Sequence, residues 1–146
     1  MPLDIAYLVK EKILRNWLKT AGEMALKKLG RKEAVSLVVA GEKKVKKLNA
    51  KYRGKNRVTD VLAFGGFDVE DFLGEIVVCL PQARRQAKEA GVSLKEEMGR
   101  LLLHGLLHLA GYDHEKSKLE AKKMLALQER FLKEILDPQG KRKITV

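Results

Sequence analysis

The stretch SLKEEMGRLLLHGLLHLAGYDH, residues 93–114, decides how the chain is read. It opens on Ser93 with Glu96 three residues later, the spacing at which a hydroxyl and a carboxylate satisfy the free amide groups at the start of a helix. Apolar residues then crowd in through Leu101, Leu102, Leu103, Leu106 and Leu107, so the pattern predicts a buried helix running to about Ala110. Its most apolar part, Leu101 to Gly111, is too short for a bilayer, which takes about 20 residues, and it carries two histidines.

All three histidines of the chain lie in this stretch, at His104, His108 and His114. Positions i and i+4 share a helix face, so His104 and His108 can aim ring nitrogens at one point. A glycine at 111 can take the left-handed conformation that stops the helix, and the chain can then fold back to present His114 as a third ligand. Three neutral nitrogens with a fourth position open is the arrangement of a catalytic zinc site, and zinc is preferred to nickel, copper or iron by ligand type and availability. The spacing also matches the H-E-x-x-H-x-x-G-x-x-H pattern of metzincin proteases. In that pattern the residue after the first histidine is a glutamate that serves as general base, and here it is Gly105.

Before this stretch, Lys10 to Leu29 carries Ile13, Leu14, Trp17, Leu18, Ala21, Met24 and Ala25 on a helical stripe and stops at Gly30; Trp17 belongs to the packing side. Ala34–Ala40 is a β-branched apolar run and predicts a strand, followed by a basic helix with Val45, Leu48 and Tyr52 at helical spacing. Strands are expected over 60–66 and 73–80, joined as an antiparallel hairpin by a turn at Gly65-Gly66 with Asp68, Glu70 and Asp71 beyond it. Pro81 suits the first turn of a helix that ends at Gly91. A last helix spans Glu115–Leu136, stopped by Asp137-Pro138, and Lys141, Arg142 and Lys143 form a basic tail. The expectation is one α+β domain over 1–146, a small mixed sheet packed against several helices with the zinc site at the end of a central helix.

Thirty basic residues against 19 acidic ones leave a net charge of +11, which favours a polyanionic partner, nucleic acid first. The alternative is a surface whose lysines serve solubility or thermal stability through ion pairs. Lys43, Lys44, Lys46, Lys47, Lys51, Arg53, Lys55 and Arg57 fall between Gly41 and Asp60, opposed only by Glu42 and Asp60, so more than half of the excess sits in one segment, as a binding surface requires. The lone Cys79 cannot form an internal disulfide and reads as a small core residue; with no signal-peptide pattern at the N-terminus, a cytoplasmic location and no membrane are expected.

The string HGLLHLAGYDH at 104–114 resembles the signature of the YbeY family of bacterial endoribonucleases. Leu48-Asn49 to Tyr52-Arg53-Gly-Lys, Thr59-Asp-Val-Leu-Ala-Phe64 and Leu73-Gly-Glu-Ile76 are similar to family motifs in the same order. The resemblance implies a single-domain α+β fold, one zinc ion held by the three histidines, and a single-strand-specific endoribonuclease. It further implies a role in ribosomal RNA maturation, at the small-subunit 3′ end, and in ribosome quality control, with the small ribosomal subunit and assembly factors as partners. Arg53 matches the family's functionally important arginine, which with His114 makes the expected catalytic pair. Val58, Ala63 and Gly65 stand where the family usually has proline, serine and proline, and Glu75 where it often has aspartate.

On this reading a zinc ion polarises the phosphate and lowers the pKa of a bound water, and Arg53 offers a planar charged fork to the phosphate, unless it serves only electrostatic attachment. Lys43, Lys44, Lys46, Lys47, Lys55 and Arg57 are assigned to the RNA backbone, although some simply solvate a helix face. Glu75 and Asp113 are candidates for ligand support or proton transfer, and Phe64 and Tyr112 for packing beside the metal rather than base stacking. Two other classes remain: a metzincin-like zinc protease, and a non-catalytic RNA- or ribosome-binding protein stabilised by zinc.

Overall fold

Residues 3–66 and 69–138 are described by a computed structural model. In chain order the elements are β1 (Leu3–Tyr7), α1 (Arg15–Lys28), β2 (Ala34–Ala40), α2 (Glu42–Arg53), β3 (Val61–Gly65), β4 (Phe72–Cys79), α3 (Leu80–Ala90), α4 (Leu94–Leu109) and α5 (Lys118–Leu136). The four strands form one mixed sheet in the order β1-β2-β4-β3. β1 and β2 pair in parallel, β2 and β4 also, and β3 returns antiparallel on β4. The expected α+β class, mixed sheet and hairpin are therefore present. Asp68 and the basic tail lie outside the described residues.

The β-branched runs of β2 and β4 put alternate side chains on opposite faces. Val35, Leu37, Val39, Ile76 and Val78 point into the larger core, against Leu18, Ala21 and Leu26 of α1, Leu102, Leu103 and Leu106 of α4, and Phe131, Leu132 and Ile135 of α5. Val77 and Cys79 point the other way, with Leu62 and Ala40, against Val45 and Leu48 of α2. Cys79 is thus a core residue, as expected. Trp17 packs half-buried against the larger core with Lys95 over its ring at 5.1 Å.

One strand and two helix starts differ from the sequence reading. β1 has no counterpart in it, because a five-residue edge strand carries too few alternations to stand out and is defined by its distant partner, Leu3↔Val35 to Tyr7↔Val39. α1 starts at Arg15, not near Lys10, after Leu14 takes a left-handed conformation with φ 55°. α5 starts at Lys118, not Glu115, because Ser117 accepts a hydrogen bond from the Glu120 amide at 3.1 Å and so caps the helix there.

α4 is the central helix. Ser93 caps it through the Glu96 amide at 3.0 Å, and Met98, Leu101–Leu103, Leu106 and Leu107 are buried along it. Gly105 is what lets it lie so close to the sheet. A Cβ there would stand 2.8 Å from Ile76 Cγ2 and 3.0 Å from both Cγ1 and Cδ1.

Candidate active site

α4 ends in a complete C-terminal cap. The Gly111 amide donates to the His108 carbonyl (3.1 Å) and the Tyr112 amide to the Leu107 carbonyl (3.0 Å), while Gly111 has φ 105°, a conformation that disfavours any side chain. The chain reverses as the reading of Gly111 requires. Asp113 then organises the next turn, its Oδ1 accepting from the Glu115 amide at 2.9 Å, which places His114 over the end of α4. Asp113 therefore acts on the backbone that carries a histidine.

His104, His108 and His114 line one cleft of about 210 Å³. The opposite wall comes from Asn49 and Arg53 of α2, then Lys55, Arg57, Thr59 and Asp60, and the floor from Val61–Ala63 of β3. Because β3 is an edge strand, α2 on one face of the sheet and α4 on the other both reach the cleft around it. Arg53, the last residue of α2, thus meets the histidines although it is distant in sequence. Lys55 and Arg57 follow it into the cleft. Lys43, Lys44, Lys46 and Lys47 stand exposed on the first turns of α2, outside the cleft wall.

The rings of His104 and His114 lie 5.2 Å apart, centroid to centroid. Burial pushes the His108 pKa below its ordinary 6.5, with His104, Arg53 and His114 adding to the shift and Asp113 opposing it, so the imidazole is neutral at pH 7. His104 Nδ1 is 2.9 Å from Gln128 Oε1 on α5. His114 is 44% exposed, with Nε2 3.8 Å from Glu115 Oε1.

The pattern described as Endoribonuclease YbeY matches residues 5–136. The chain belongs to the YbeY endoribonuclease family. Endoribonuclease YbeY of Bdellovibrio bacteriovorus is 41% identical over 123 residues, covering 81% of each chain. That of Aquifex aeolicus is 38% identical over 135 residues, covering 88% of each. The solution structure of a protein from Thermotoga maritima superposes with a TM-score of 0.71 at 32% identity, over 96% of this chain and 93% of that one.

Among the described residues no group of three or more His, Cys, Asp or Glu side chains is arranged so that it could hold a metal ion as it stands. The donors nevertheless suit one. Two imidazoles that share a tetrahedral ion have ring centroids ~5 Å apart, and His104 and His114 already have that spacing. His108 is kept neutral, as a ligand must be.

Three residues of this YbeY-family site received no role from the sequence, although Asn49 and Asp60 fall within the family motifs. Asn49, buried, donates from Nδ2 to the Arg57 carbonyl at 3.0 Å and holds the cationic loop. Asp60 fixes the start of β3 by accepting from the Val61 amide at 2.8 Å. Gln128, 5% exposed, supports His104. A signal for Gln128 existed: it interrupts the buried stripe of Met124, Phe131, Leu132 and Ile135, and a polar residue in such a stripe needs a partner. Glu75 does not join the site. It shares the strand face of Val77, opposite Ile76 and α4, and accepts from Ser36 Oγ at 3.4 Å.

Proposed function

We propose that this chain is a zinc-dependent endoribonuclease that cuts single-stranded ribosomal RNA in the cytoplasm, at the 3′ end of the small-subunit RNA and in ribosome quality control. His104, His108 and His114 hold the ion; Arg53 and His114 are the catalytic pair; Lys43, Lys44, Lys46, Lys47, Lys55 and Arg57 hold the RNA backbone. The small ribosomal subunit and its assembly factors are the partners. Hydrolysis of RNA phosphodiesters follows from family membership. No helix among the described residues is long and apolar enough to cross a membrane.

The observation that carries the reading is that the three histidines share one cleft with Arg53, Lys55 and Arg57. When bound, zinc supplies Lewis-acid polarisation of a phosphate and a water of lowered pKa. The protein's own groups do the rest. Arg53 offers two parallel N–H donors to non-bridging phosphate oxygens, where negative charge builds as the phosphorus gains a fifth ligand. Lys55 and Arg57 hold the flanking phosphates, and the neutral His108 presents a lone pair at the cleft. A protease reading loses its base not only because position 105 is glycine but because a side chain there would enter Ile76.

The test is cleavage of a labelled single-stranded RNA by highly purified protein, with and without EDTA, beside His114→Ala. His114 lies on an exposed turn, so the variant should keep its fold. Loss of bound zinc together with at least a hundredfold loss of cleavage is expected. A variant that loses zinc yet cuts RNA as fast as wild type overturns the catalytic role and points to a contaminating nuclease. Cleavage of an unstructured protein by the same preparation would instead favour the protease.

A further inference from the structure

Gln128 lies on the buried face of α5, against His104 rather than in the cleft itself, and nothing in the ligand set requires it. An amide oxygen only accepts hydrogen bonds, so the 2.9 Å contact from Gln128 Oε1 requires that His104 carry its proton on Nδ1. The lone pair then sits on Nε2. The choice of oxygen over nitrogen is itself fixed, because Gln128 Nε2 donates to Glu129 Oε2 at 3.3 Å, and a flipped amide would set oxygen against a carboxylate.

Glu129 is in turn held by a two-pronged contact from Arg100, Nε to Oε2 at 3.1 Å and Nη2 to Oε1 at 3.2 Å. Arg100 also donates to the buried Glu97 at 3.0 Å, and Gln86 Nε2 donates both to Glu97 at 2.8 Å and to Asp60 at 3.3 Å. One chain of polar contacts therefore runs behind α4 from a histidine on one wall of the cleft to the carboxylate that anchors the other.

We propose that Gln128 is a positioning residue that locks His104 as the Nδ1–H tautomer and aims its Nε2 at the metal, with Glu129 and Arg100 holding the amide in the required orientation. The proposal rests on the reading that His104 is a metal ligand. An acceptor on the far ring nitrogen fixes the ring direction and raises the basicity of the ligating nitrogen, and losing one typically weakens metal binding about 10- to 100-fold.

The experiment has two readouts. Two-dimensional ¹⁵N–¹H correlation of the imidazoles in zinc-free protein gives the His104 tautomer, and competition with a chromophoric chelator gives the zinc affinity. Wild type should show Nδ1–H. Gln128→Met, close in volume, should shift His104 towards the Nε2–H form that an unconstrained histidine prefers and weaken zinc binding about 10- to 100-fold. Glu129→Ala, at a half-exposed position, should loosen the tautomer with a smaller loss of affinity, and it serves if Gln128→Met does not fold. Wild-type His104 in the Nε2–H form, or a folded Gln128→Met with unchanged affinity and tautomer, overturns the proposal. If the wild type itself takes up no zinc, the reading of the three histidines falls with it, and failure of both proteins marks that case.

Discussion

Replacing Gly105 with alanine adds one methyl group at the tightest contact between α4 and the sheet. The new carbon would lie 2.8 Å, 3.0 Å and 3.0 Å from three carbons of Ile76, where carbon atoms ordinarily rest about 3.5–4.0 Å apart. Ile76 cannot retreat. It is wholly buried on β4, which is paired on both sides. Over-packing of this kind costs about 1–3 kcal/mol, and the congestion here argues for the upper half of that range. Against it stands the helix preference for alanine over glycine, about 1 kcal/mol. Gly105→Ala should therefore be less stable by about 1–2 kcal/mol, a fall in Tm of roughly 2–8 °C for a domain of this size.

The second arm of this experiment removes the obstacle. In an Ile76→Ala background the methyl meets open space, so Gly105→Ala should there become neutral or stabilising, by up to about 1 kcal/mol. Urea unfolding followed by circular dichroism, on the four proteins of the cycle, isolates the coupling between the two positions. If Gly105→Ala matches or exceeds wild type in stability, or if its effect is the same in both backgrounds, then Ile76 does not dictate the glycine. The packing argument against a base at position 105 then fails with it.

Other predictions test the cleft. RNA affinity should fall with salt, and Lys55→Ala and Arg57→Ala should each reduce the slope of log K against log salt by about 0.7, one contact on single-stranded RNA; fluorescence anisotropy of an uncleaved analogue measures this, and an unchanged slope removes that residue from the backbone contacts. Asn49→Ala removes the hydrogen bond to the Arg57 carbonyl and should cost about 0.5–1.5 kcal/mol in stability, with weaker RNA binding because Lys55 and Arg57 lose their anchor. The Glu129 carboxyl is held below its ordinary 4.5 mainly by the hydrogen bond from Arg100. Its contribution to stability is therefore complete above about pH 4.5 and is lost as pH falls through the lower folded value. Comparing the acid stability of wild type with Glu129→Gln checks the sign: the gap should be largest above pH 4.5 and close on acidification.

Much of the site was legible because it is local. His104 and His108 are one helical turn apart, Gly111 and His114 follow within a single reversal, and each requirement acts on the residues beside it. The sheet was legible where β-branched runs were long, as in β2 and β4. β1 was not, since its place is set by Val35–Val39 and not by its own five residues. Glu75 stayed open as a candidate because strand parity decides its face, and sequence proximity to Ile76 says nothing of that. Asn49 and Gln128 depend on partners 8 and 24 residues away, separations that no local pattern names, although the break in the buried stripe of α5 marks Gln128 as needing one.

The concentration of charge also divides once the fold is known. Lys43, Lys44, Lys46 and Lys47 project from α2 outside the cleft, whereas Arg53, Lys55 and Arg57 enter it. A field from the first group reaches a polyanion before contact and raises its encounter rate, but it falls off within about 10 Å at moderate salt. Only the second group can hold a phosphate at a fixed distance from the histidines. Neutralising Lys43 and Lys44 should thus slow association with little effect on the cleavage step of bound RNA, while Arg53→Ala should lower the single-turnover rate at saturating protein. If the single-turnover rate is instead unchanged by Arg53→Ala, the arginine belongs with the outer lysines as an attachment point, and charge at the phosphorus must be met by another group in the cleft.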